Sequence, residues 1–201
     1  MNVVEAISKR RSIRKFLNKD IEKDKIQKIL EAGILAPSPK NQQPWKFIVV
    51  TGDKKREITV ILNNGLENIK AGNGLDVQPG TIRSVAKSFK SMEEAPVVIF
   101  ILNTDDTLIP NNFPITQTLK EKLTKMGNIQ AIGASIENML LTALEYGIGS
   151  LWINNIFYTY NELKNWLNTD HEIAAAILLG YPDESPPQRP RKLMSELIKW
   201  I

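Results

Sequence analysis

The stretch Lys9-Arg10-Arg11-Ser12-Ile13-Arg14-Lys15-Phe16 carries five cations in seven positions, with one serine hydroxyl among them. Guanidinium groups present paired donors in a fixed fork and keep their charge when partly buried, so this set suits a phosphate monoester. A solvated basic face is the plain alternative for any run of Lys and Arg. A second basic cluster, Arg189-Pro190-Arg191-Lys192, lies near the far end of the chain. Strand pairing at the edge of a sheet would bring the two clusters together around one anion. Between them in sequence sits Ser38-Pro39-Lys40-Asn41-Gln42-Gln43-Pro44-Trp45, a proline-bounded loop. Its amides offer donors and acceptors suited to the edge of a heterocycle. Amides that cap backbone groups in stiff turns account for the same loop.

Other chemistries are missing. There is no cysteine, hence no disulfide, thiolate nucleophile or thiolate-bound metal. The single histidine, His171, precedes an apolar run, reads as structural and excludes a His-cluster metal site. No HExxH, CxxC or GxSxG occurs, and Gly72-Asn73-Gly74 lacks the third glycine of a dinucleotide-binding turn. An enzyme built from this chain therefore has to borrow its reactive centre from a cofactor, with protein groups supplying placement and electrostatics. The net charge of +4 is local, because Lys and Arg are elsewhere interspersed with acids. Without a long basic stripe interleaved with aromatics, no nucleic-acid partner is expected. No signal pattern opens the chain and no apolar run approaches a membrane span, so a cytoplasmic protein without membrane contact is expected.

The elements that must hold these residues follow from periodicity. Val3, Val4 and Ile7 share a helical face, so the basic run starts at the end of a short first helix. Ile26, Ile29, Leu30, Gly33 and Ile34 make the stripe of an amphipathic helix that Pro37 ends. Residues 46–51 and 95–102 read as strands, the second apolar on both faces. The spacing predicts a helix from about Lys54 to Leu66, a Gly/Asn-rich excursion over 68–80 and turn formers over 103–114. A short helix over 119–126 is followed by a strongly helical segment from Gln130 to Tyr146, stopped by Gly147-Ile148-Gly149. Residues 150–155 are extended, and 160–167 form a helix. The Ala-rich run 172–179 is a strand or a buried helix turn, since periodicity does not separate the two. Leu193, Leu197 and Trp200 have the spacing of a short amphipathic tail helix. With 201 residues, 42% apolar, and no repeat or linker, one α+β domain over 1–201 is expected.

Four ordered segments together resemble the nitroreductase family of FMN-dependent oxidoreductases, over nearly the whole chain. They are Arg10-Arg11-Ser12-x-Arg14; Ala36-Pro37-Ser38-x-x-Asn41-x-Gln43-Pro44-Trp45; Gly133-Ala134-x-x-x-Asn138-x-Leu140-Leu141 leading to Gly147-x-Gly149-Ser150-x-Trp152-Ile153; and Leu179-Gly180-Tyr181-Pro182 with Arg189-x-Arg191. The resemblance implies an α+β, nitroreductase-like fold. In it a central, mainly antiparallel sheet is flanked by helices, and an intertwined homodimer holds FMN at its interface. It implies that Arg10, Arg11, Ser12 and Arg14 meet the phosphate, the ribityl chain or the pyrimidine side of the flavin, and that Arg189 and Arg191 complete the phosphate site. Pro37, Ser38 and Asn41 are expected to come from the partner subunit, and the segment ending Asn154-Asn155 to run along the ring with its backbone donating toward N5. Well-known members often carry an acidic residue or glycine at that last pair, so this chain departs from them there. The implied reaction is ping-pong: NAD(P)H gives a hydride to flavin N5 and leaves, and a small electron-poor acceptor (nitroaromatic, quinone or flavin) takes the electrons. No side chain is implied as an acid–base catalyst. A flavin-binding or sensing protein with little turnover is the alternative, with 68–80 and 103–125 as candidate gating segments.

Overall fold

A computed structural model describes residues 1–72, 78–104 and 116–201. Among the described residues four strands form one sheet: β1 (Trp45–Thr51), β2 (Val97–Asn103), β3 (Gly149–Ile153) and β4 (Glu172–Gly180). Their order is β1-β2-β4-β3, with every neighbouring pair antiparallel. β2 lies inside the sheet and is buried along its whole length, which explains a run that is apolar at every position from Val97 to Leu102. The Ala-rich run 172–179 is strand β4, with Ala176 opposite Phe100 and Leu178 opposite Val98.

Alternation sends the strand side chains into two cores. Val98, Phe100, Leu102, Ala176 and Leu178 pack with α3 (Lys54–Lys70), α4 (Pro79–Glu94) and α6 (Tyr160–Trp166). Val97, Ile99, Ile101, Ile177 and Leu179 pack with α2 (Lys23–Ile34) and α5 (Gln117–Glu145). The layers are therefore helix, antiparallel sheet, helix, the expected α+β arrangement of a central antiparallel sheet flanked by helices. α2 lies close against α5 because residue 33 is glycine: a Cβ there would come 2.8 Å from Met139 Cγ and 3.1 Å from Ser135 Oγ.

Several expected boundaries move. The helices expected over 119–126 and 130–146 are one continuous α5; a single Gly127 does not end a helix whose next turns are packed on the sheet. α3 runs to Lys70, into the stretch expected as an excursion, and α4 occupies a region for which periodicity predicted no element. The remainder of the expected excursion, 73–77, and residues 105–114 of the expected turn region lie outside the described residues. β3 ends at Ile153, and Asn155–Thr159 form a 3-10 turn. The tail helix shrinks to one turn, α7 (Met194–Leu197), with every side chain exposed. α1 (Val3–Lys9) forms as expected, capped where Asn2 Oδ1 accepts from the Glu5 amide at 2.8 Å. Its apolar face nevertheless points outward: Val3 is 70% and Val4 76% exposed, and only Ala6 is buried.

Candidate functional site

The basic stretch is seated on the sheet by two glycines. Gly149 and Gly180 are register partners at one end of β3 and β4. A Cβ on Gly149 would come 3.0 Å from the Ile13 side chain, and one on Gly180 would come 2.6 Å from the Phe16 ring. Ile13 and Phe16, both buried, occupy the space that side chains there would fill. Backbone hydrogen bonds then hold the segment on two sides. The Ile13 amide donates to Ser150 O at 2.9 Å, Leu17 to Tyr181 O at 2.9 Å, and Asp183 to Lys15 O at 3.0 Å. Apolar residues 13 and 16 are thus the anchor, and the intervening polar positions face away from the core.

This seating places Arg10, Arg11, Ser12 and Arg14 beside the chain that leaves β4. Together with Pro186, Pro187, Gln188, Arg189 and Arg191 they line one cleft of about 290 Å³. The two clusters separated by most of the sequence are therefore one site. Arg10 Nε lies 3.4 Å from Glu137 Oε1 on α5. Arg11 Nη1 donates to Ser8 O at 2.7 Å and to Arg10 O at 2.8 Å, and Arg14 Nη1 to Ser12 O at 3.2 Å. Arg191 Nη1 donates to Arg189 O at 3.3 Å. Among the described residues, no carboxylate forms an ion pair with Arg11, Arg14, Arg189 or Arg191. Four like charges lining one cleft repel one another until an anion enters, and fork-shaped donors favour an oxyanion.

The proline-bounded loop is held in a tight form. Lys40, Asn41 and Gln43 all have positive φ (51°, 55° and 50°), a region that non-glycine residues seldom occupy. Ser38 Oγ accepts from the Gln43 amide at 2.9 Å, and the Asn41 amide donates to Ser38 O at 3.0 Å. Pro37 and Asn41 are exposed. None of Pro37, Ser38 and Asn41 lines the arginine cleft of this chain.

Asn154 and Asn155 also lie off that cleft. From Ser150, bridged to Ser12, the chain extends about 13 Å along β3 to Asn154. The Asn155 Nδ2 donates to Ser88 Oγ at 2.8 Å and to Ser84 O at 3.4 Å, tying the end of β3 to α4. The structure thus assembles Arg10, Arg11, Ser12, Arg14, Arg189 and Arg191, and leaves the other five candidate residues elsewhere on the chain.

Sequence reasoning missed three features of the site. Glu137 and Glu184 reach it from α5 and from the chain after β4, and nothing local marks them. Pro186, Pro187 and Gln188 line the cleft, and their adjacency to Arg189 was the available signal. Gly149 was read as part of a helix stop; the stop is Gly147, with φ of 69°, whereas Gly149 is the seat. Among the described residues no group of three or more His, Cys, Asp or Glu could hold a metal ion. No described helix is long and apolar enough to cross a membrane.

Comparison with known proteins gives the family and the fold. The chain is similar to the NADPH-flavin oxidoreductase of Vibrio harveyi, with 27% identity over 94% of this chain and 70% of that protein. Its fold is similar to that of a BluB-like flavoprotein from Clostridium difficile 630, with a TM-score of 0.84 and 26% identity over 100% of this chain and 99% of that one. It is also similar to a nitroreductase candidate from Desulfovibrio desulfuricans solved in complex with FMN, with a TM-score of 0.70 and 28% identity over 98% and 95% of the two chains. The nitroreductase family profile matches residues 7–181, from α1 through the end of β4, and the chain belongs to that family.

Proposed function

We propose that this protein is an FMN-dependent oxidoreductase that passes two electrons from NAD(P)H to a small electron-poor acceptor such as a nitroaromatic, a quinone or a flavin. The observation that carries the reading is the cleft built from both ends of the chain, with four guanidinium groups that no carboxylate among the described residues pairs with. That donor set fits the terminal phosphate of FMN, which accepts several charge-assisted hydrogen bonds. The FMN complex of the Desulfovibrio desulfuricans protein and the flavin chemistry named for the Vibrio harveyi protein support the same cofactor and donor.

Bound FMN supplies the two-electron carrier that the side chains themselves lack. Arg10, Arg11, Arg14, Arg189 and Arg191 hold the phosphate end, and Ser12 adds a hydroxyl to the same cleft. Cations gathered at one end of the cofactor also favour its reduced, more negative form. Asn154 and Asn155, at the far end of β3, are the residues we assign to the ring end. Pro37, Ser38 and Asn41, which also lie off the arginine cleft of their own chain, are the residues we assign to the flavin ring of a second copy, as the family resemblance implies. A homodimer also accounts for apolar surface that a monomer leaves wet: Val3 and Val4 on α1, Leu123 and Met126 on α5, and Trp200 in the tail are all more than 40% exposed.

The visible spectrum of the purified protein, followed by anaerobic addition of NADH and then NADPH, tests the proposal. A flavin spectrum that bleaches with either donor is the expected result and selects the donor. Bound flavin that neither donor reduces points to a binding or sensing role. A colourless protein that FMN does not reconstitute overturns the reading.

A further inference from the structure

A carboxylate beside a phosphate cleft is costly unless it does something else, and Glu184 stands next to this one. It lines the two clefts that adjoin the arginine cleft, in company with Arg10, Arg11, Arg14 and Lys15. Despite these neighbours it forms no ion pair with any of them. Its Oε1 accepts instead from the main-chain amide of Arg14. That amide is left over by the local pairing, since Ile13 donates to Ser150 while Lys15 and Leu17 pair with the chain after β4. The side chain of Glu184 therefore adds a rung to the short ladder in which Phe16 opposes Pro182.

Among the described residues this rung is the last polar tie between the C-terminal segment and the rest of the chain. Every hydrogen bond formed by residues 185–201 stays within that segment, as from Glu196 to Leu193 and from Arg191 to Arg189 and Pro190. The path from Glu184 to Arg189 crosses Pro186 and Pro187, which fix φ and extend the chain by about 3 Å per residue. A stiff arm of that kind transmits its starting direction to its end, so a small rotation at residue 184 displaces Arg189 and Arg191 by ångströms.

We propose that Glu184 is a positioning residue for phosphate recognition: by taking the Arg14 amide, its carboxylate sets the direction of the proline-stiffened arm and holds Arg189 and Arg191 opposite Arg10–Arg14. The proposal rests on the FMN reading for its ligand. It also explains how an acidic residue coexists with the cleft, because binding a main-chain amide leaves the neighbouring guanidinium groups for the ligand.

The test is titration of the flavin-free protein with FMN and with riboflavin, which lacks the phosphate, for the parent, Glu184→Ala and Glu184→Gln. Glu184→Ala is expected to weaken FMN about tenfold, the size of one charge-assisted hydrogen bond, with riboflavin unchanged. Glu184→Gln keeps an acceptor oxygen for the amide and is expected to stay near the parent for FMN. Equal losses for both flavins in Glu184→Ala, or no loss for either, overturn the positioning role. A second readout needs no flavin. Trypsin cleavage after Arg191 is expected to be faster in Glu184→Ala than in the parent, and equal rates overturn the latch. A parent protein that binds neither flavin, with faster cleavage in Glu184→Ala, removes the cofactor reading and leaves the latch standing.

Discussion

Replacing Arg14 by alanine reads the cleft at its most informative point. The Arg14 guanidinium is exposed and lines the cleft; among the described residues it has no carboxylate partner and its one hydrogen bond is to Ser12 O at 3.2 Å. Little is therefore lost in the free protein when it is removed, and the effect on a bound phosphate is close to the strength of the contact itself. A hydrogen bond to a charged group contributes about 1.5–3 kcal/mol, and exposure places this one near the lower end. That is roughly a tenfold rise in the FMN dissociation constant. Arg10→Ala is expected to cost less, because Arg10 is already engaged with Glu137 at 3.4 Å. Arg189→Ala, across the same cleft, is expected to match Arg14→Ala. The double variant should lose less than the sum, since both groups act on one phosphate, with coupling of about 0.5 kcal/mol or more. Quenching of FMN fluorescence gives the affinities, and riboflavin serves as the control. Arg14→Ala and Arg189→Ala that both bind FMN as the parent does would mean that the phosphate lies elsewhere. Riboflavin affinity falling in parallel would show that the substitutions loosen the fold and do not remove a phosphate contact.

Three further outcomes follow from the packing and the charges. The Tyr181 hydroxyl donates to Glu22 at 2.6 Å and, with the Glu22 backbone amide and Lys25, holds that carboxyl down to about 2. A carboxyl whose pKa falls on folding adds stability above its ordinary value of 4.5, and that contribution is lost as pH drops toward 2. The Tm gap between the parent and Tyr181→Phe should thus be steady near neutrality and narrow below pH 4.5; a gap that stays constant in acid contradicts it. On α3, a Cβ at Gly65 would come 2.0 Å from Thr159 Cγ2, so Gly65→Ala should cost about 1–3 kcal/mol in urea unfolding. Adding Thr159→Ser, which deletes the clashing methyl, should restore part of the loss, and no recovery would count against this contact. Deleting Leu193–Ile201, an exposed tail that includes Trp200 at 89% exposure, should convert the proposed homodimer to a monomer in size-exclusion chromatography. Unchanged elution would show that the tail is not part of the interface.

Local pattern was enough for the elements that obey one rule throughout. The stripe of Ile26, Ile29 and Gly33 specifies α2, and the unbroken run from Val97 to Leu102 specifies a strand buried on both faces. It failed where a local signal and long-range packing disagree. Gly127 divides α5 on paper, yet buried Asn128, Ala131 and Ile132 carry the helix past it. α4 has a readable stripe in Val85, Phe89 and Met92, which the preceding Gly/Asn-rich tract obscures. In α1 the period specified the helix and its shared face but not what covers that face, and Val3 and Val4 stand exposed on it.

For the site, the sequence by itself determined the chemistry on offer: forked cations at two places, no thiol, one histidine, and the ordered motifs that the nitroreductase family shares. Those are properties of residue type and order, and folding does not change them. Only the tertiary structure decided that Arg14 and Arg189 line one cleft, because that depends on the pairing of residues 15–17 with 181–183 and on the Gly149–Gly180 seat. It also decided which cations are left for a ligand. Glu137 engages Arg10 from α5 and Glu184 engages a main-chain amide, and the field at a point is the sum of such distant groups, which no local stretch of sequence contains.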